Sequence, residues 1–184
     1  MTENSRVIVL TTSLNPQSRS RAAGAYALEL LRQQNRDAEL IDIRDLGDIP
    51  LAGSASAWSP HPGVDLLKEK LRGATHLLFA VPIYNFSVSG MTKNLVELMG
   101  MDELKGKTVG FLCAAGGPRG YMGVLPFANA LMLDFRCWIV PRFVYATRDD
   151  IVDGQIVSDD LKLRIEQLAH EMHERVPALT QPGG

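Results

Sequence analysis

Short apolar runs alternate with amphipathic helical patterns along most of the chain, and this alternation constrains the fold more than any other feature. Most of the runs lack polar residues at every second position, as expected for strands buried on both faces. Their ranges are 7–12, 38–43, 76–82, 107–115 and 137–146. Apolar residues at helical spacing mark five further segments, at 20–35, 64–74, 90–100, 123–135 and 158–176. Alternating strands and helices predict an α/β fold, a parallel sheet with helices on both faces.

Pro141, inside the fifth strand, helps to order the sheet. A proline lacks the N–H that a central strand needs, so its strand should lie at an edge or carry a bulge. The order 2-1-3-4-5 puts the fifth strand at one edge and the short, more polar second strand at the other. We therefore predict a three-layer sandwich around a five-stranded parallel sheet. Residues 1–176 should form this single domain and residues 177–184 a disordered tail.

The overall charge argues against a nucleic-acid partner, because 19 basic residues face 21 acidic ones for a formal net charge of −2. The longest apolar runs fall well short of the roughly 20 residues that span a bilayer, and the first residues lack a signal-peptide pattern. We expect a cytoplasmic protein without a membrane partner. Cys113 and Cys137 are too few for a disulfide framework and should be buried thiols. "HEMHE" (170–174) is not the H-E-x-x-H pattern, so we expect no metal site.

In an open parallel sheet, ligands bind beyond the carboxyl ends of the strands, where the strand order reverses. Here that point lies between the first and third strands. The loop after the first strand, "TSLNPQSRS" (12–20), carries hydroxyl and amide groups and leads into a helix N-terminus, which favours anions. A phosphate site and an ordinary capped loop both fit this segment taken alone.

Two more loops should reach the same point. In "PIYNFSVSGMTKN" (82–94), two aromatic residues flank an asparagine just after the third strand, a composition that suits a flat heteroaromatic ring. Packing of these aromatics back onto the core is the alternative. After the fourth strand, "AAGGPRG" (114–120) is rich in glycine, which lets backbone approach a ligand closely.

These three motifs resemble those of the NAD(P)H-dependent FMN reductase family of flavodoxin-like proteins, over roughly residues 6–150. The motif sequences are most similar to those of flavin reductases that serve two-component monooxygenases. "PIYNF" is also similar to flavin-dependent azoreductases and quinone reductases, so the subfamily stays open. The resemblance implies a flavodoxin-like fold, FMN as cofactor and NADPH or NADH as hydride donor.

The resemblance also implies which residues bind FMN. The phosphate would lie against the first loop, at Ser13, Asn15, Ser18, Arg19 and Ser20. The isoalloxazine ring would lie against the second and third loops, at Pro82, Ile83, Tyr84, Asn85, Phe86, Ser87, Ala115, Gly116 and Gly117. We expect neither a catalytic side chain nor a metal ligand, because the flavin carries the redox chemistry.

Two positions depart from the family pattern. Asn15 stands where the family often has arginine, which removes a charge partner of the phosphate; Arg19 or Arg21 could replace it. Thr12 stands where glycine is usual, and we expect it to tighten the approach to the phosphate.

The resulting hypothesis is an NAD(P)H:flavin oxidoreductase that passes electrons to free flavin, a quinone, an azo compound or a partner monooxygenase. The alternatives are a flavodoxin-type electron carrier, a quinone or azo reductase with tightly bound FMN, and a flavin-free protein that kept the fold. The strongly apolar helix at 123–135 predicts a subunit interface, and the resemblance implies a homodimer or homotetramer. The nucleotide preference and the acceptor stay open.

Overall fold

The computed structural model describes residues 5–174, which form eight strands and six α-helices. The strands are β1 Arg6–Thr11, β2 Asp37–Asp42, β3 His76–Tyr84, β4 Ser87–Val88, β5 Thr108–Ala114, β6 Trp138–Ala146, β7 Ile151–Val152 and β8 Gln155–Ile156. The helices are α1 Arg19–Gln33, α2 Pro62–Arg72, α3 Gly90–Leu98, α4 Met101–Leu104, α5 Leu125–Phe135 and α6 Asp159–Glu174.

The central sheet has the order β2-β1-β3-β5-β6, with every neighbouring pair parallel. This confirms the predicted fold class and the 2-1-3-4-5 order of the five long strands. The five parallel strands are present as predicted; the two-residue β4, which was not predicted, pairs antiparallel with the end of β3 and adds a sixth strand. A separate two-stranded hairpin, β7–β8, follows β6 outside the central sheet.

Helices cover both faces of the sheet, each over its own apolar core. One core buries the inner sides of α1 and α6, including Ala27, Leu31 and Ile165, against one face. The other core buries α2 to α5, including Leu67 and Leu131, against the opposite face. The chain therefore leaves β1 toward one face and leaves β3 toward the other.

Pro141 has both consequences that its chemistry predicts. β6 lies at the end of the sheet and pairs only with β5. The register also shifts beside the proline: Val109 pairs with Ile139, whereas Phe111, two residues on, pairs with Phe143, four residues on. The extra residues of β6 form an irregularity in which the missing N–H of Pro141 does not interrupt the ladder.

The helix ends differ slightly from the predicted ones. α1 begins at Arg19, because the Ser18 hydroxyl accepts a hydrogen bond from the Arg21 N–H at 3.1 Å as its cap. α3 ends at Leu98, where the next residue turns extended, and the short α4 follows separately. The predicted end of the last helix at residue 176 and the predicted tail at 177–184 lie outside the described residues.

Both cysteines are buried free thiols, and burial raises the pKa of Cys113 to about 12 and that of Cys137 to about 11. Both are therefore protonated at neutral pH and unreactive as nucleophiles. Among residues 5–174, no helix has the length and apolar character needed to cross a bilayer.

Candidate functional site

A cleft opens at the carboxyl end of the sheet, where β1 and β3 lie side by side and send the chain to opposite faces. Its walls come from all three predicted loops, which meet around a cavity of about 90 Å³. The lining residues are Ser13, Asn15, Gln17, Ser18, Arg19, Ser20, Pro82, Tyr84, Ala114, Ala115 and Gly116. Gln17 and Ala114 are the members that the sequence analysis did not include.

The first loop places its hydroxyl groups at the N-terminus of α1. The Ser18 and Ser20 Oγ atoms are 3.0 Å apart, and Ser13, which is buried, lines the same cavity. The Asn15 Oδ1 atom accepts a hydrogen bond from the Gln17 N–H at 2.9 Å, the contact of an Asx turn. Asn15 therefore shapes the loop with its side-chain oxygen.

The charge pattern at the start of α1 is unusual, because the first turn carries Arg19 and Arg21 and no acidic residue. Cations at a helix N-terminus oppose the helix dipole. Arg21 is neutralised, since its Nε lies 2.7 Å from the buried carboxylate of Asp42. Arg19 is exposed at the cleft, and within residues 5–174 it makes no ion pair. An anion in the cleft would offset its charge.

Asp42 and Arg44 support the first loop from beneath, and the sequence analysis missed both. The Arg44 guanidinium lies 2.5 Å from Asp42 Oδ2 and also reaches the carbonyl of Pro16 at 3.5 Å. Burial alone would raise the pKa of the Asp42 carboxyl, but hydrogen bonds from Arg44 and Arg21 outweigh burial and lower it. The sequence signal was "DIRD" (42–45), which begins at the last residue of β2 and places an Asp–Arg pair at the sheet's carboxyl end.

The second loop is a tight hairpin between β3 and β4. Its two central residues, Asn85 and Phe86, have φ angles of 49° and 62°, both in the left-handed region. Such a turn normally contains Asn-Gly or Asp-Gly, and a bulky side chain in this conformation is strained. Phe86 is nevertheless 65% exposed and Tyr84 52% exposed, so both aromatic rings project from the molecule beside the cleft.

The other predicted residues of the second loop differ in how far they are buried. Ile83 is buried in the core, so only its main chain is available to a ligand. Ser87 is exposed in β4. Asn85, Phe86 and Ser87 follow the rim, and the lining of the small cavity does not include them.

The chain just after the glycine-rich loop packs closely against the hairpin, while the loop itself leaves open space. A Cβ atom on Gly123 would lie 2.7 Å from the Phe86 carbonyl oxygen, so only glycine permits this approach. A Cβ on Gly116 or Gly117 would meet no protein atom within 4 Å. Packing within this chain therefore does not require glycine at 116 and 117, and the space beside them is free for a ligand.

We expected Thr12 to tighten the approach to the phosphate. In the structure, Thr12 does not line the cleft. Its side chain is fully buried, with Oγ1 2.7 Å from Thr92 Oγ1. The hydroxyl is directed toward the N-terminus of α3. Within residues 5–174, no group of three or more His, Cys, Asp or Glu side chains is placed to hold a metal ion.

Strand order, helix placement and a cleft of hydroxyls, aromatics and glycines at the switch point define a flavodoxin-like α/β protein. A family model described as NADPH-dependent FMN reductase matches residues 5–150. The chain belongs to this family.

Two relatives and one solved structure illustrate the similarity. The NADH-dependent FMN reductase SfnF of Pseudomonas fluorescens is 33% identical over 68% of each chain. The FMN reductase (NADPH) of Pseudomonas aeruginosa is 28% identical over 90% of this chain and 82% of its own. The apo form of the NADH:FMN oxidoreductase EMOB has the same fold, with a TM-score of 0.75 at 16% identity over 95% of this chain and 91% of that one.

Replacing Phe86 by glycine should stabilise the fold, because glycine adopts a positive φ without a Cβ clash. The left-handed conformation costs a residue with a side chain about 1–2 kcal/mol. The greater freedom of glycine in the unfolded chain offsets roughly 0.5–1 kcal/mol of this gain. We expect urea titration to show a higher free energy of unfolding, by up to about 1.5 kcal/mol.

Phe86→Ala is the matched control, since it removes the ring but keeps a Cβ atom in the left-handed conformation. It should bring no gain. Equal stability of the glycine and alanine variants would show that the turn is unstrained.

Asp42→Asn should destabilise the protein at pH 7 by roughly 1–3 kcal/mol, because two arginines lose their charged partner. The folded-state pKa of Asp42 lies below the unfolded value near 4. Its stabilising contribution is therefore complete above that value and is lost as the pH falls through the folded-state pKa. The difference between wild type and variant, measured by urea titration, should shrink below about pH 4.

Asp37→Asn, on the same strand, is the control. Asp37 is exposed and lies 3.8 Å from Arg6, so its loss should cost less than about 0.5 kcal/mol. A difference for Asp42→Asn that stays constant from pH 7 to about pH 2 would contradict the role assigned to its charge.

Proposed function

We propose that this protein is an NAD(P)H:flavin oxidoreductase that binds FMN in the cleft between β1 and β3. One observation carries the proposal: the hydroxyls at the N-terminus of α1, Tyr84 beside the aromatic hairpin and Gly116 of the glycine-rich loop line one cavity. These groups match, in order, the phosphate, the ring and the ring edge of FMN. Family membership supports the same activity.

The phosphate would be held by the first loop. Ser13, Ser18 and Ser20 supply hydroxyl donors there, and the N–H groups of the first turn of α1 point the same way. Arg19 supplies the positive charge that Asn15 lacks. Arg21 does not, because its guanidinium is bound to Asp42. In this proposal, Arg19 takes the part of the arginine that the family often has at position 15.

The ring would lie between the hairpin and the glycine-rich loop. The left-handed turn fixes the N–H groups of Asn85 and Phe86 in one orientation, so the main chain of residues 82–87 presents donors without a further ordering cost. Pro82 and Tyr84 form the adjacent wall, and Ala115, Gly116 and Gly117 the opposite side.

FMN, when bound, would accept a hydride from the nicotinamide of NADPH or NADH and pass electrons to an acceptor. The residues of this chain would position the ring and leave one of its faces accessible beside the exposed Tyr84 and Phe86. A side-chain acid, base or nucleophile is not required. The acceptor would be a small molecule such as free flavin, a quinone or an azo compound, or a partner monooxygenase.

The proposed assembly is a homodimer or homotetramer in the cytoplasm. α5 supports it, because Leu125, Met132 and Leu133 are exposed on the side turned away from the sheet. An apolar helix face of this kind is typical of subunit interfaces. A light-scattering mass equal to one chain of 20.2 kDa at micromolar protein would contradict the assembly.

Adding FMN to the purified protein and following the NADPH and NADH absorbance bands tests the activity. Steady oxidation dependent on both protein and FMN is expected. Bound FMN without oxidation of either nucleotide would instead indicate a flavodoxin-type electron carrier. Failure to bind FMN would overturn both assignments.

Arg19→Gln should weaken FMN binding roughly threefold to tenfold, because the phosphate loses its one uncompensated cation. Fluorescence titration with riboflavin, which lacks the phosphate, should show no change. The effect on FMN should also diminish at high salt, since the contact is exposed to solvent.

Arg32→Gln is the matched control, because Arg32 is an exposed arginine at the opposite end of the same helix. FMN affinity equal to wild type in both variants would show that Arg19 does not contact the phosphate.

A further inference from the structure

Three buried hydroxyl groups form a continuous hydrogen-bonded chain behind the cleft. Thr12 Oγ1 lies 2.7 Å from Thr92 Oγ1, which in turn lies 2.8 Å from Ser89 Oγ. Thr12 and Thr92 are fully buried and Ser89 nearly so. Ser89 Oγ also accepts a hydrogen bond from the Thr92 N–H at 3.2 Å and so caps α3.

This chain joins two loops that are far apart in sequence. Thr12 directly precedes Ser13, the first residue of the proposed phosphate site, and its N–H donates to the Ala80 carbonyl of β3 at 3.2 Å. Ser89 directly follows β4, the second strand of the aromatic hairpin. The bond between Thr12 and Thr92 therefore connects the start of the phosphate loop to the exit of the ring hairpin, across 80 positions.

The links between Thr12, Thr92 and Ser89 depend on their hydroxyl groups. A buried hydroxyl without a partner is costly, and each of these three has at least one. Thr11, the preceding residue, is an instructive contrast. It is equally buried, yet its Oγ1 has no hydrogen-bond partner among the described residues. Burial of a threonine at the end of β1 thus does not by itself produce such a link.

We propose that Thr12 and Thr92 are positioning residues that hold the phosphate and ring subsites at a fixed separation. The inference rests on the proposed function. A ligand that engages both subsites at once gains most when their spacing is set before it binds, because the ordering cost is then already met by the fold. Thr12 has this role because it supplies the buried hydroxyl that lies 2.7 Å from Thr92 Oγ1.

The test is the ratio of the riboflavin to the FMN dissociation constant, measured by flavin fluorescence. This ratio reports how much the phosphate adds once the ring is bound. Thr12→Val keeps the shape of the side chain and removes the hydroxyl, and it should lower the ratio on the order of tenfold. Thr92→Val should do the same. The double variant should lower it no further, because each single change already breaks the same bond.

Two controls separate positioning from general stability. Thr12→Ser restores the hydroxyl and should return the ratio to within about twofold of wild type. Thr11→Val removes a hydroxyl that makes no bond and should leave the ratio unchanged. Melting temperatures are recorded for all variants, because a purely structural role would lower them while the ratio stayed constant.

A wild-type ratio in Thr12→Val and Thr92→Val, or additive losses in the double variant, would overturn the inference while leaving the proposed function intact. Wild-type protein that does not bind FMN would overturn the proposed function, and the inference would fall with it.

Discussion

The parallel pairing of β1 with β3 is the constraint on which the rest of the site depends. Their register, from Val7 opposite His76 to Thr11 opposite Ala80, ends β1 beside Ala80, while β3 continues to Tyr84 along one side of the cleft. The chain then continues into α1 on one face and toward α3 on the other, because each helix has its own core to bury. A cleft must open between two chain segments that diverge in this way, and β5 completes it by adding a third loop.

Electrostatics around the first loop are arranged by one buried carboxylate. Asp42 binds Arg21 and Arg44 together, so both of these guanidinium groups are compensated within the fold. Arg19 lies at the cleft itself and makes no ion pair among residues 5–174. A buried carboxylate thus leaves Arg19 as an exposed cation at the cleft without a large positive field around the loop.

Much of this architecture could be read from the sequence, because buried parallel strands and amphipathic helices differ in period and length. The three loops were recognised by composition. Pro141 correctly predicted that its strand lies at an edge of the sheet. The strained hairpin was not predictable: Asn85-Phe86 lacks the glycine that signals such a turn, and a two-residue strand has no period. The contacts of Asp42 with Arg21 and of Thr12 with Thr92 were missed because these partners are distant in sequence, and only the fold brings them together.

The two edge strands of the sheet also affect the tendency of the protein to aggregate. An open sheet ends in two bare ladders, each of which can template pairing with a neighbouring molecule. On β6, the irregular spacing beside Pro141 denies an incoming strand a continuous row of donors. On β2, charged side chains line the edge, where Asp37 and Glu39 form ion pairs with Arg6 and Lys70. Growth into fibrillar aggregates is therefore opposed at both margins, at one by backbone geometry and at the other by charge.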